Sequence, residues 1–185
     1  MDEQYDELTS LALRARRGDA DAATTFVRGT QADVWRMCAN LGSRALADDL
    51  TQETYARAFA SLHRFAGRSA VRTWLLSIAR RVCADAVHEV VKTRAHVESG
   101  AVDLTSVRSL TAFDPAESVA LTSLLQGLDR DRREAFVLTQ LVGLSYAEAA
   151  DVCNCPVGTI RSRVARARAD LVDGYGGGRA QAVGD

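Results

Sequence analysis

The sequence predicts an all-α protein: two small helical domains joined by a flexible linker, the C-terminal one a helix-turn-helix. Three observations lead there. Apolar residues recur three and four apart and not two apart, which favours helical faces over strands. Only Pro115 and Pro156 interrupt 185 residues rich in Ala, Leu, Arg and Glu. Between two helical blocks lies "HVESGAVDLTSVRSLTAF", His96 to Phe113, which is rich in Ser and Thr and lacks a sustained helical face.

The first block spans residues 5–95 and the linker 96–113. Within the first block, "ALADDLTQETYARAFASLHRF" sets Leu50, Thr54, Tyr55, Ala58 and Leu62 broadly to one side of a helix. Asp49, Gln52, Glu53, Ala56 and Ala60 fall on the other side. An acidic and amide-bearing end followed by small alanines gives room for another helix to approach, and suits docking of a basic one. Next comes "RFAGRSAVRTWLLSIARRVCAD", which mixes Phe65 and Trp74 with arginines around a Gly-Arg-Ser turn. Rings stack on bases and guanidinium groups meet phosphates, so this mixture suits single-stranded nucleic acid; the same aromatics also suit a core.

The second block spans 114–173 and opens with "DPAE". Asp114 is placed as N-cap, Pro115 at the first helical position and Glu117 at the third. The tail, 174–185, reads "GYGGGRAQAVGD" and carries so little apolar side chain that it is expected to be disordered.

Inside this block, "CNCPVGTIRSRVARAR" sets a metal or redox reading of Cys153 and Cys155 against a nucleic-acid reading of the arginines. A closed zinc site needs four ligands, and His63, His88 and His96 lie far back without paired spacing. No metal site and no cofactor is therefore expected. A helix-turn-helix accounts for the stretch better. "SYAE", Ser145 to Glu148, is a capping box; Asn154 can take the left-handed conformation that ends a helix; Pro156 can open the next. The cysteines then become small packing residues. On the second helix Ile160, Val164, Ala167 and Leu171 line one stripe at about 100° per residue, opposite Ser162, Ala165 and Arg166. Such a helix enters a major groove N-terminus first. Thr159, Arg161 and Ser162 are expected near base edges, with Arg161 suited to guanine, and Arg163, Arg166 and Arg168 near phosphate.

The formal net charge of -1 conceals a segregation. Between Glu53 and Asp85 there is no acidic residue but there are six arginines, at 57, 64, 68, 72, 80 and 81; between Asp151 and Asp170 the arginines at 161, 163, 166 and 168 repeat the pattern. Two basic windows with acidic spacers fit a two-footed contact with a polyanion. There is no run of about 18 apolar residues and no secretory signal, so no membrane partner is expected and the default compartment is the cytoplasm. Four scattered cysteines suit reduced thiols there. A glycine-rich phosphate loop, a clustered His/Cys/Asp/Glu set and a nucleophile elbow are all absent from the sequence, which argues against an enzyme.

Taken together, "RRGDADAA", "DDLTQETYARAF", "LHRFAGRSAVRTWLLSIARR", "LDRDRREAFVLTQLVGLSYAEAADV" and "CPVGTIRSRVARARADL" resemble, in order and spacing, the extracytoplasmic-function (ECF) sigma factors of bacterial RNA polymerase, which belong to the sigma-70 family. The resemblance covers nearly the whole chain and implies specific roles. Asp49, Gln52 and Glu53 would bind the clamp helices of the largest subunit of core RNA polymerase. Phe65, Arg68, Ser69, Arg72, Thr73, Trp74, Arg80 and Arg81 would open and read the minus-ten element, the loop from Phe65 to Ala70 capturing a flipped base of the non-template strand. Thr159, Arg161, Ser162, Arg163 and Arg166 would read the minus-thirty-five element, while the same domain contacts the flap of the second-largest subunit. The resemblance further implies promoter DNA and an anti-sigma factor as partners; a monomer is expected when the protein is free. Arg81 stands where the family often has Asn, His63 where it often has Asp, and Ala149 is smaller than the usual branched residue.

Overall fold

The computed structural model describes residues 2–67, 69–98 and 123–181. Arg68, most of the linker and the Asp114–Glu117 cap lie outside the described residues. Among the described residues every regular element is helical, and they divide into two compact units on either side of Ser109 and Leu110.

In the first unit α1 (Asp2–Ala15), α2 (Ala20–Leu41), α3 (Ala47–Ser61) and α4 (Val71–Glu98) form a helical bundle. The corner between α1 and α2 is made by Gly18 at φ 93° and by Asp19. The Asp19 side chain accepts the Ala22 amide at 2.9 Å as the N-cap of α2 and the Arg14 guanidinium at 2.7 Å. The Ala22 amide, and after it Arg14, hold the Asp19 carboxyl below the usual carboxylate range. Helix α2 packs against the other three; Phe26, Val34, Met37 and Cys38 on it are buried, as are Leu75, Leu76, Ala79, Val82 and Cys83 on α4 and Leu50 and Ala58 on α3.

The polar atoms in this core are paired, as burial demands. Thr30 Oγ1 on α2 lies 2.7 Å from the Tyr55 hydroxyl on α3 and donates to the Phe26 carbonyl at 2.8 Å. Either hydroxyl can donate to the other, since the Tyr55 hydroxyl also reaches the Val27 carbonyl at 3.4 Å. Burial pushes the Tyr55 phenol up to about 12. All four cysteines are free; the buried Cys38 thiol is held below its ordinary value by a hydrogen bond with Cys83, helped by Thr51 and Thr54.

In the second unit residues 123–127 are helical and are followed by α5 (Arg130–Phe136), a π-helical turn (Val137–Leu141), α6 (Tyr146–Cys153) and α7 (Val157–Gln181). Leu125, Leu128 and Ala167 form a core cluster with Phe136, Leu141 and Leu171 packed on it. Arg133 donates to the Gln126 and Leu128 carbonyls at 2.6 and 3.1 Å and so ties down the end of the preceding helical segment. The π turn widens the helix before it stops: the Val142 amide reaches back to the Val137 carbonyl and the Leu144 amide to the Leu138 carbonyl, both at 2.9 Å. Gly143, at φ 80°, then redirects the chain into the helix-turn-helix.

Two expected boundaries move. Helix α4 continues to Glu98, past residue 95. Helix α7 runs to Gln181, so the tail expected to be disordered from 174 is helical over its first eight residues, 174–181. Extending an existing helix avoids the cost of nucleation, which lets a glycine-rich segment follow at a propensity cost of about 1 kcal/mol per glycine. The glycine at 174 also has a use: a Cβ there would stand 3.2 Å from Leu124 Cδ2, so its absence allows close approach.

Candidate nucleic-acid interface

The helix-turn-helix is built from its caps. Ser145 Oγ accepts the Glu148 amide at 3.2 Å and Glu148 Oε2 accepts the Ser145 amide at 2.8 Å, closing a capping box at the start of α6. Asn154 ends that helix at φ 52°, ψ 53°, in the left-handed region. The chain then turns through Pro156, which stands one residue before α7 and whose carbonyl accepts the Thr159 amide at 2.9 Å. Cys153 is buried under this turn, its thiol 3.7 Å from Glu134 Oε2. Cys155 Sγ lies 3.8 Å from Arg163 Nη1. Among the described residues there is no group of three or more His, Cys, Asp or Glu side chains that could hold a metal ion.

On α7 Ile160, Val164 and Ala167 are buried, and Arg161, Ser162, Ala165 and Arg166 are exposed on the far side. Thr159 is half-buried and its carbonyl accepts the Ser162 hydroxyl at 2.9 Å. Arg163 does not belong to that outer face. Its side chain is 23% exposed and its guanidinium pairs with the Asp131 carboxylate at the start of α5. Three positions after Ile160 a residue lies about 60° round the helix, at the edge of the buried stripe, from which a long side chain can turn inward. Arg168, on the exposed side, donates to Gln140 Oε1 at 2.8 Å.

In the first unit the residues expected at the minus-ten element do not share one surface. Phe65 is 4% exposed and its ring lies tilted on that of half-buried Trp74, centroids 5.1 Å apart. Thr73 is buried. Arg72 is 11% exposed and pairs with Asp33 of α2 at 2.6 Å. Phe65, Arg72 and Thr73 are thus placed in the bundle and not on its free surface. Ser69 and Arg81 are exposed and Arg80 is half-buried. Two residues to which the sequence assigns no role touch the ends of the loop, one of them the first residue of the "RRGDADAA" block: Arg16 Nη1 donates to the Phe65 carbonyl at 2.8 Å, and Thr9 Oγ1 accepts the Val71 amide at 3.3 Å. Both contacts link positions remote in sequence, and no local pattern could have signalled them.

The acidic face of α3 forms as its periodicity predicts. Asp49, Gln52, Glu53, Ala56 and Ala60 are exposed, and Leu50, Thr51, Thr54 and Ala58 are buried. At one end Trp35 Nε1 donates to Asp48 Oδ1 at 2.8 Å, with the Arg44 guanidinium 5.9 Å from the Trp35 ring centroid. At the other, Arg57 bridges Glu53 at 2.7 Å and Asp85 of α4 at 2.6 Å. Asp85, and after it Glu53, raise the Arg57 pKa, so this cation stays charged but is held between two carboxylates.

Comparison with known proteins places these surfaces in a family. Sigma-70 region 2 matches residues 26–90 and Sigma-70, region 4 matches residues 118–171. The ECF RNA polymerase sigma factor SigC of Mycobacterium tuberculosis (strain CDC 1551 / Oshkosh) is 49% identical over 168 residues, 89% of each chain. The ECF RNA polymerase sigma-E factor of Escherichia coli (strain K12) is 30% identical over 178 residues, 88% of this chain and 92% of the relative. Among solved structures, CnrH in complex with the cytosolic domain of CnrY is similar at TM-score 0.72 and 25% identity, covering 92% of this chain and 98% of that one. The sigma factor RpoE in complex with the anti-sigma factor NepR from Bartonella quintana is similar at TM-score 0.65 and 28% identity, covering 81% and 94%.

Proposed function

The chain belongs to the ECF RNA polymerase sigma factors, promoter-recognising transcription initiation factors of the sigma-70 family, and on that premise we propose how its two units divide the work. Helix α7 enters the major groove of the minus-thirty-five element, Arg161 and Ser162 facing base edges and Arg166 and Arg168 facing phosphate. The observation that carries this is the outward face of α7, where Arg161, Ser162 and Arg166 are exposed opposite the buried Ile160, Val164 and Ala167. The acidic face of α3, Asp49, Gln52 and Glu53, docks on the clamp helices of the largest polymerase subunit, and the second unit meets the flap of the second-largest. The loop before α4 captures a flipped base of the minus-ten element beside Trp74 and Ser69, with Arg80 and Arg81 on phosphate. Phe65, Arg72 and Thr73 support that surface from below.

The protein acts without catalysis. Unstacking a base costs a few kcal/mol, and the sequence has no G-x-x-x-x-G-K-[ST] motif through which nucleotide hydrolysis could drive it. Capture of the flipped base and simultaneous engagement of two DNA modules and polymerase supply the energy instead, because tethering raises effective concentration. The protein works in the cytoplasm bound to core polymerase, and is a monomer when free. Two solved relatives are held by partner proteins, one of them an anti-sigma factor, and an anti-sigma partner is expected for this chain too.

Gel shifts on promoter fragments test the division. Free protein is expected to bind weakly and the holoenzyme tightly and with sequence preference. Nanomolar binding of free protein to a palindromic site, as a dimer, would overturn it in favour of an autonomous repressor.

A further inference from the structure

The loop from Phe65 to Ala70 is held at both ends by residues that precede the segment matched to Sigma-70 region 2, which starts at residue 26. At its entry the Arg16 guanidinium donates to the Phe65 carbonyl at 2.8 Å, a link across 49 positions. At its exit Thr9 Oγ1 accepts the amide of Val71, the first residue of α4, at 3.3 Å across 62 positions. The first amides of a helix have no partner within it, so Thr9 acts as an N-cap supplied from another helix. Between these two anchors Ala66, Gly67 and Ser69 are exposed, and Gly67 sits at φ 68°, a conformation open to few side chains. Ala66, Gly67 and Ser69 are thus exposed between fixed ends, and those ends define where an incoming base can sit.

We propose that Thr9 and Arg16 are positioning residues for minus-ten recognition: they set the shape of the loop from α1 and the turn behind it, and thereby its base preference, without touching DNA. The proposal rests on reading this loop as the base-capturing element. A loop held at both ends discriminates by fit, and one released at one end samples shapes that fit several bases, so preference falls before affinity does.

The test uses holoenzyme formed by the full chain and bacterial core polymerase, transcribing a library randomised in the minus-ten element. Thr9→Ala and Arg16→Ala are expected to flatten the preference for the captured base by roughly five- to tenfold, the scale of one lost hydrogen bond. Thr9→Ser should restore it, with minus-thirty-five preference unchanged throughout and the thermal midpoint of the alanine variants lowered by no more than the roughly 4–8 °C that one lost cap or hydrogen bond implies. An Arg16→Ala variant weakened equally on every sequence, with a shallower salt dependence, would show a direct phosphate contact and overturn the proposal. Unchanged preference in both alanine variants would overturn it too, as would loss of the thermal midpoint together with every preference. A control, Arg68→Ala with Ser69→Ala, separates the failures. If it alters minus-ten preference while the Thr9 and Arg16 variants do not, only the brace is wrong; if it too changes nothing, the reading of the loop falls with it.

Discussion

Arg72 on α4 and Asp33 on α2 form an ion pair at 2.6 Å, in which the arginine side chain is 11% and the aspartate 21% exposed. Asp33 also holds Arg36 at 3.0 Å. An exposed pair contributes up to about 1 kcal/mol and removal of one partner of a buried pair costs about 3–5. This partly buried pair falls between, so Asp33→Ala is expected to destabilise the first unit by roughly 2 kcal/mol. Urea denaturation followed by tryptophan fluorescence reads this, since Trp35 and Trp74 both lie in that unit. A change under about 0.5 kcal/mol would show that the pair is cosmetic.

Arg161 and Arg163, two residues apart on α7, are expected to fail differently. Arg161→Ala should lose about 1–3 kcal/mol of discrimination at one base pair of the minus-thirty-five element and leave folding unchanged. Arg163→Ala removes the partner of Asp131 and should lower the thermal midpoint of the second unit. Base-preference profiles and thermal melts, read side by side, separate the two.

The capping box at Ser145 and Glu148 predicts that Ser145→Ala costs the second unit about 1 kcal/mol. At Asn154, in the left-handed region, glycine should be tolerated and valine should not. Chemical denaturation of these variants checks both; a neutral Asn154→Val would contradict the turn geometry.

Tyr55 gives a pH dependence with a definite sign. Burial raises its phenol to about 12, from about 10 in an unfolded chain. The folded state therefore favours the protonated form. Stability from this source is complete below about pH 10 and is lost as pH rises towards 12. In an alkaline absorbance titration Tyr55→Phe should remove the late phase near 12, and its stability should fall less steeply with pH over that window.

What could be read from the sequence was whatever repeats within a turn or two of helix. The opposed faces of α3, the stripe through Ile160 and Val164, the Ser145 box and the turn at Asn154 all follow from local rules, and the structure reproduces each. Pairings across the bundle were not legible. Nothing near Arg163 marks Asp131 as its partner, and nothing near Phe65 points to Arg16. Phe65 carries a further ambiguity: a ring that stacks on a base and a ring that fills a core are the same residue type, and only its contact with Trp74 decides. The helical run to Gln181 was hidden for the opposite reason, since composition reports the cost of glycine and not the helix already in place before it.

The most direct measurement is run-off transcription by core RNA polymerase with this protein on a library of promoter fragments, alongside a variant carrying Asp49→Ala, Gln52→Ala and Glu53→Ala. The three side chains are exposed, so the variant should fold. Specific start sites are expected with the native chain, and their loss with the variant, at unchanged thermal midpoint. Start sites that survive the triple substitution would contradict the placement of the polymerase contact on α3, and no transcription from any fragment would contradict the account as a whole.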